Sequence, residues 1–196
     1  MPDKRIFEKY IEIFLEENHK VNLISKNDEK YLWEKHICDS LALEKVFKKY
    51  KQPETLLDIG TGGGFPSVPL AISNPEIKIY AVDSISKKIK AVQVFKDKLK
   101  LNNLFPICSR VENLNEKHDI VTSRAVASLD KICEYALPKL KPNGYFAVFK
   151  SKKASEEIKN AQNILKKYNA KIIDIVNYKL PLKEEIERNI IVINIE

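Results

Sequence analysis

Apolar residues in the first fifty positions recur at helical spacing. Ile6, Tyr10, Ile13 and Phe14, joined by Phe7 and Ile11, follow the i, i+3, i+4 stripe of an amphipathic helix that ends before Asn18. A second such stretch, residues 28–50, runs through Leu32, Trp33, His36, Ile37, Leu41 and Phe47. Beyond it the period shortens. Thr55–Ile59 is a buried-strand pattern ending in Gly60-Thr61-Gly62-Gly63-Gly64, and residues 77–82 form a second strand ending at Asp83. Ile85, Ile89, Val92, Phe95 and Leu99 mark the next helix, with short strands at Leu104–Cys108, 119–122 and 145–149. After Lys150 come one more helical stripe (Ile158, Ala161, Ile164, Leu165, Tyr168) and two strands, 171–177 and 189–195, around a Leu180-Pro181-Leu182 loop. Seven strands alternating with helices predict an α/β, Rossmann-like sheet, mostly parallel, with helices on both faces and right-handed crossovers. Without a repeat or linker to break it, the chain divides into an N-terminal helical extension, 1–52, packed on an α/β body, 53–196.

Composition narrows the setting. At 196 residues, with 44% apolar and 31% charged positions, the chain is long enough for one cored domain and too apolar for disorder. No apolar run reaches the roughly 20 residues of a membrane span, and the start lacks a signal-peptide pattern, so a cytoplasmic protein is expected. Cys38, Cys108 and Cys133 are odd in number without C-x-x-C spacing, and His19, His36 and His118 are scattered. Neither a disulfide framework nor a metal site is written in them. The net charge of +7 makes a polyanionic partner worth weighing. Only four of the basic residues are arginine (Arg5, Arg110, Arg124, Arg188), and solvated lysine faces explain the excess equally well.

Four of the five glycines fall in one loop after the first strand, where an open α/β sheet binds ligands. Glycine there admits positive φ and lets a ligand rest against bare backbone. A dinucleotide fingerprint requires glycine or alanine where this loop has Phe65. Asp58, at the strand end, would repel a pyrophosphate but suits a cofactor carrying an ammonium group, such as S-adenosyl-L-methionine. Asp83 lies 23 residues beyond Gly60 (83 minus 60), close to the roughly 20-residue offset of a ribose-binding carboxylate, which fits either cofactor.

The loop Asp58-Ile59-Gly60-Thr61-Gly62-Gly63-Gly64-Phe65-Pro66 with Asp83 resembles that of class I S-adenosylmethionine-dependent methyltransferases. Extended through Ser67-Val68-Pro69-Leu70, it is similar to the glucose-inhibited division protein B family, guanine-N7 methyltransferases of 16S ribosomal RNA. Asn22-Leu23-Ile24, His36-Ile37-Cys38-Asp39-Ser40-Leu41, Ser109-Arg110-Val111-Glu112 and Ser123-Arg124-Ala125-Val126-Ala127-Ser128-Leu129 agree with that family in order, the match covering residues 22–150. Three positions depart: Ser67 and Ser151 stand where glycine is expected, and Asn189 where histidine is. The resemblance implies cofactor contacts from Asp58, Gly60, Gly62, Phe65, Asp83, Val111, Glu112 and Arg124. It also implies a 16S ribosomal RNA or small-subunit partner, and a monomer with no membrane role is expected.

The position after the fourth strand lacks the Asn/Asp-Pro-Pro-Tyr type motif that serves exocyclic amines. Cys108 and Cys133 lack the context of a carbon-5 nucleophile and read as small buried hydrophobes. Ring nitrogen 7 of guanine has a free lone pair, so transfer there needs alignment and no general base. No catalytic residue is therefore assigned, and Arg124 is a positioning candidate able to donate to a guanine edge or to the cofactor's carboxylate. His36 and Asp39, spaced i, i+3, read as a capping or packing pair against the cofactor domain. Lys87, Lys88 and Lys90, with Lys150, Lys152 and Lys153, follow strand ends on the ligand face and are candidate phosphate contacts. The competing readings are a small-molecule methyltransferase of the same fold and a non-catalytic RNA-binding or assembly protein.

Overall fold

The computed structural model describes residues 3–151, 154–182, 184 and 186–195. A 3-10 turn (Lys4–Phe7) leads into α1 (Glu8–Val21), α2 (Lys26–Glu29), a π-helical turn (Leu32–Ile37), α3 (Cys38–Leu41) and α4 (Glu44–Lys49). The α/β part follows: β1 (Thr55–Ile59), α5 (Ser67–Ser73), β2 (Lys78–Asp83), α6 (Ser86–Leu99), β3 (Leu104–Cys108), β4 (His118–Arg124), α7 (Leu129–Ala136) and β5 (Leu140–Lys150). It closes with α8 (Ala154–Asn160), α9 (Gln162–Lys167), β6 (Ala170–Leu180) and β7 (Ile186–Ile195).

The seven strands lie in the order β3-β2-β1-β4-β5-β7-β6. The first five pair in parallel, and β7 runs antiparallel between β5 and β6. The chain leaves β1 toward one edge of the sheet and returns to begin the other half at β4. The carboxyl ends of β1 and β4 thus border the switch point, where a crevice opens.

The central strands are buried on both faces, so they read as continuous apolar runs rather than alternating ones. Leu56, Ile79 and Ile120 share one core with Val68 of α5 and Val92 and Phe95 of α6. Leu57, Val82 and Val121 share the other with Leu129, Ile132 and Leu165 of α7 and α9. The buried side chains of the N-terminal helices belong to the first of these cores. Tyr10 and Phe14 of α1 are fully buried and meet Phe95 at ring distances of 5.4 and 5.7 Å. Truncating either ring to alanine would cost about 3–5 kcal/mol, felt by the sheet as much as by α1.

The expected single helix over 28–50 is in fact a succession of short turns. Asn22 adopts a left-handed conformation (φ 50) that ends α1, and the Ser25 side chain caps α2 by accepting the Asp28 N–H. Asn18 closes the connection, donating to Glu29 and accepting the Ile24 N–H. Apolar spacing marks the buried face but does not distinguish α from π hydrogen bonding, which is why the turn at Leu32–Ile37 escaped it. The helix expected through Ile158 and Tyr168 is likewise split, at Ala161. Cys133 is buried as expected, its thiol pushed up to about 12 by burial, but Cys108 is exposed because it ends an edge strand.

Candidate active site

The glycine loop is folded back onto β2. The Gly60 and Thr61 N–H groups both donate to the Val82 carbonyl, at 2.8 and 2.9 Å. Gly60 has φ +72, and a Cβ there would lie 2.4 Å from Val126 Cγ2; Gly64 has φ +89, with a Cβ 2.6 Å from Val68. Neither position admits a side chain without displacing a neighbour. Asp83 accepts the Gly62 N–H through Oδ2 (3.0 Å) and the Ile85 N–H through Oδ1 (2.9 Å). Each oxygen keeps a second lone pair for a ligand.

The crevice beyond this loop has a volume of about 1030 Å³. Ligand sites run to roughly 300–1,000 Å³, so it has room for a nucleoside cofactor and a second group beside it. Gly60, Gly62, Phe65, Asp83, Val111, Glu112 and Arg124 all line it. Asp58 does not. Its carboxyl is fully buried beneath the loop, where Oδ2 accepts the Ser67 hydroxyl at 2.7 Å and Oδ1 has no hydrogen-bond partner among the described residues. Burial lifts its pKa to about 7, opposed by the Ser67 hydrogen bond. The expected direct contact between Asp58 and an ammonium group is therefore corrected: β1 turns the side chain inward, and Asp58 supports the loop from below. Ser67, a departure from the family pattern, is its partner.

Arg124 leaves the end of β4 toward the N-terminal helices. Nη1 donates to Asp39 Oδ2 at 3.0 Å and to the Lys35 carbonyl at 3.4 Å, Nη2 meets His36 Nδ1 at 3.2 Å, and the guanidinium lies 5.0 Å from the Phe65 ring. Tyr178 of β6 donates to the other Asp39 oxygen at 2.5 Å. His36 and Asp39 are thus not a mutual pair; they converge on Arg124. The π turn carries Lys35 and His36 to that meeting point. Arginine has only donors, so His36 Nδ1 must accept and the proton sits on Nε2. Burial and then the arginine charge hold the imidazole pKa down to about 4, leaving it neutral. Among the described residues Nε2 is buried without a hydrogen-bond partner, a state that costs about 1–3 kcal/mol if nothing meets it.

Residues 3–190 match the family model described as rRNA small subunit methyltransferase G. This chain belongs to that family. It is 41% identical over 181 residues to ribosomal RNA small subunit methyltransferase G of Fusobacterium nucleatum, covering 90% of this chain and 77% of that protein. The Bacillus licheniformis protein of the same name is 39% identical, covering 95% and 80%. Among solved structures, TYW2 of P. horikoshii in complex with MeSAdo superposes with a TM-score of 0.64 at 15% identity, over 81% of this chain and 61% of that one. Precorrin-6y C5,15-methyltransferase of Geobacter metallireducens gives 0.58 at 16%, over 90% and 92%. These likenesses show the Rossmann-like methyltransferase fold.

In this methyltransferase Lys150 is not available to a phosphate. Its side chain is 8% exposed, and Nζ donates to Glu157 Oε2 at 2.6 Å and to the Ala127 carbonyl at 2.8 Å. Lys88 lines the crevice, Lys87 and Lys90 are exposed on α6, and Lys152 and Lys153 lie outside the described residues. Ser151 and Asn189, the other two departures, meet each other, Asn189 Nδ2 donating to the Ser151 carbonyl at 3.1 Å. Sequence reasoning missed Val126, Tyr135, Glu157, Tyr178 and Arg188 as crevice residues. Val126 alone had a signal, its place two residues after Arg124. The others arrive through β6, β7 and the helices between β4 and β6, whose register no local pattern specifies.

Proposed function

We propose that this chain transfers the methyl group of S-adenosylmethionine to ring nitrogen 7 of a guanine in 16S ribosomal RNA, acting as a cytoplasmic monomer. Membership of the rRNA small subunit methyltransferase G family supports the ribosomal substrate. The donor set supports the cofactor: two crevice carboxylates, Asp83 and Glu112, suit a ribose and an ammonium group and oppose a pyrophosphate. When bound, the cofactor supplies a methyl group on a positively charged sulfur. Asp83 and the glycine loop hold it, and Val111 offers apolar contact.

The observation that supports nitrogen 7 is that the two candidate bases beside Arg124 are engaged, while the crevice carboxylates Asp83 and Glu112 are assigned to the cofactor. His36, the imidazole there, is neutral with its basic nitrogen occupied by Arg124, and Asp39 is consumed by Arg124 and Tyr178. An exocyclic amine must lose a proton on methylation, whereas nitrogen 7 needs only alignment with the methyl–sulfur bond. The RNA contact fits α6. Its first turn carries Lys87 and Lys88, of which Lys88 lines the crevice. The test is incubation with labelled cofactor and 16S RNA from cells lacking the protein, followed by nucleoside analysis. Label in 7-methylguanosine is expected, and label in any other nucleoside refutes the reading.

A further inference from the structure

Two of the four arginines are neutralised within the protein and two are not. Arg5 pairs with Asp3, and Arg124 with Asp39. Among the described residues neither Arg110 nor Arg188 has a carboxylate within ion-pair distance, yet both line the crevice, Arg110 exposed and Arg188 half-buried. A half-buried guanidinium without a counter-charge is unfavourable unless a ligand brings one. The sheet sets these two cations on opposite sides of the cofactor crevice. Arg110 follows the end of β3 by two residues. Arg188 is the third residue of β7, whose antiparallel course starts at the carboxyl ends of the parallel strands; the next residue, Asn189, pairs with Lys150 at the end of β5. In the order β3-β2-β1-β4-β5-β7 they stand five strand spacings apart, about 24 Å at about 4.8 Å each, with the glycine loop after β1 between them. One small anion cannot meet both, whereas a nucleic-acid strand crossing the crevice can.

Resting on the RNA reading above, we propose that the substrate lies as a single strand along the carboxyl edge of the sheet, with Arg110 and Arg188 binding phosphates on opposite sides of the guanine that is methylated. The planar guanidinium fork matches phosphate oxygens two at a time, and such contacts fix the register of a strand without reading its sequence. Nitrogen 7 itself requires a strand rather than a duplex, because in A-form RNA it lies in a major groove too deep and narrow for side chains. The rival ligand for either guanidinium is the cofactor's carboxylate. RNA binding is titrated against salt for wild type, Arg110→Gln, Arg188→Gln, the double variant, Arg110→Lys and Arg188→Lys. The probe is whichever of unmethylated 16S RNA and small ribosomal subunits the wild type methylates.

Each glutamine variant should flatten the slope of log affinity against log salt by roughly 0.7, and the double variant by roughly 1.4, while the lysine variants, which keep the charge, retain it. Cofactor affinity by calorimetry should stay within about twofold throughout. Single uncharged methylphosphonate linkages, placed in turn on the 5′ and 3′ sides of the target guanine, then locate each contact. Removing one arginine should cost nothing further on RNA neutralised on one side, and removing the other nothing further on RNA neutralised on the opposite side, because one contact cannot be lost twice. An unchanged slope in either glutamine variant would overturn the proposal. A fall in cofactor affinity would assign that arginine to the cofactor's carboxylate and overturn it equally, and coupling of both arginines to linkages on the same side would exclude the crossing. Absence of 7-methylguanosine from the wild-type reaction would overturn the nitrogen 7 reading instead, since the slopes do not depend on which atom is methylated.

Discussion

Removing the Tyr178 hydroxyl tests whether the three parts of the chain are held together where the structure places their junction. Tyr178 on β6, Asp39 on α3 and Arg124 on β4 come from widely separated positions and meet through one carboxylate. Tyr178 is 7% exposed, and phenylalanine would fill the same space, so Tyr178→Phe deletes one hydrogen bond without a cavity. Hydrogen bonds to charged groups contribute about 1.5–3 kcal/mol, and a loss of about 2 kcal/mol is expected. Asp39→Asn is more severe. The Asp39 and Arg124 side chains are 8% and 16% exposed, and breaking a buried pair while leaving one charge behind costs about 3–5 kcal/mol. Because both substitutions act on one carboxylate, the double variant should lose at least about 1 kcal/mol less than the sum of the singles. Urea unfolding with unchanged slope measures each term. Strict additivity, or a Tyr178→Phe loss below about 0.5 kcal/mol, would refute the junction.

Asp83→Ala should weaken S-adenosylmethionine binding roughly 5- to 100-fold in calorimetry, since it removes both the hydrogen bond to the Gly62 N–H and the ligand-facing lone pairs. Asp58, whose folded-state pKa of about 7 lies above its usual 3.8, binds its proton more tightly in the folded chain, so stability should fall as pH rises between about 4 and 7. In Asp58→Asn that decline, about 2 kcal/mol between pH 5 and 7 in urea titrations, should disappear. Changing Lys87 and Lys88 together to glutamine should flatten the salt dependence of RNA binding by roughly 0.7 log units for each phosphate no longer neutralised, whereas Lys150→Met should lower thermal stability and leave the slope unaltered. A slope changed by Lys150→Met and untouched by the other pair would reverse these assignments.

The strand-helix alternation and the glycine loop were legible because their signals are local. A buried parallel strand is a short apolar run, and a loop that must reach positive φ beside a close neighbour concentrates glycine. Asp83 was legible for the same reason, as the acid ending the next strand. Asp58 was misread because sequence places a residue at a strand end but not on a face, and β1 turns this one toward Ser67 rather than the crevice. Lys150 was misread because its partner, Glu157, comes from a helix whose docking depends on tertiary contact. Tyr178 left no signal at all: its role exists only because the β6–β7 hairpin folds back beside α3. The short helix α5 is buried at five consecutive residues, Ser67 to Ala71, and so shows no apolar period, whereas the α7 stripe Leu129, Ile132, Cys133 and Ala136 stood in the sequence and was passed over.

Two of the cations expected at the ligand site, Arg124 and Lys150, hold the segment between β4 and α7 in place. Arg124 anchors its beginning to Asp39, His36 and the Lys35 carbonyl, and the chain then turns through Ala125 at φ +56. That left-handed turn costs roughly 1–2 kcal/mol for a residue with a Cβ, so the surroundings must enforce it. Lys150 and Glu157 secure the far end, the lysine through the Ala127 carbonyl and the glutamate through the Leu129 N–H at 2.8 Å. Between these anchors Val126 is set down directly over Gly60, which explains why that position must lack a side chain. A reaction that depends on alignment rather than on proton transfer gains from such rigidity. The charges that fix the Arg124–Leu129 segment therefore set the shape of the crevice beside the glycine loop, and on the proposed reading they act through geometry.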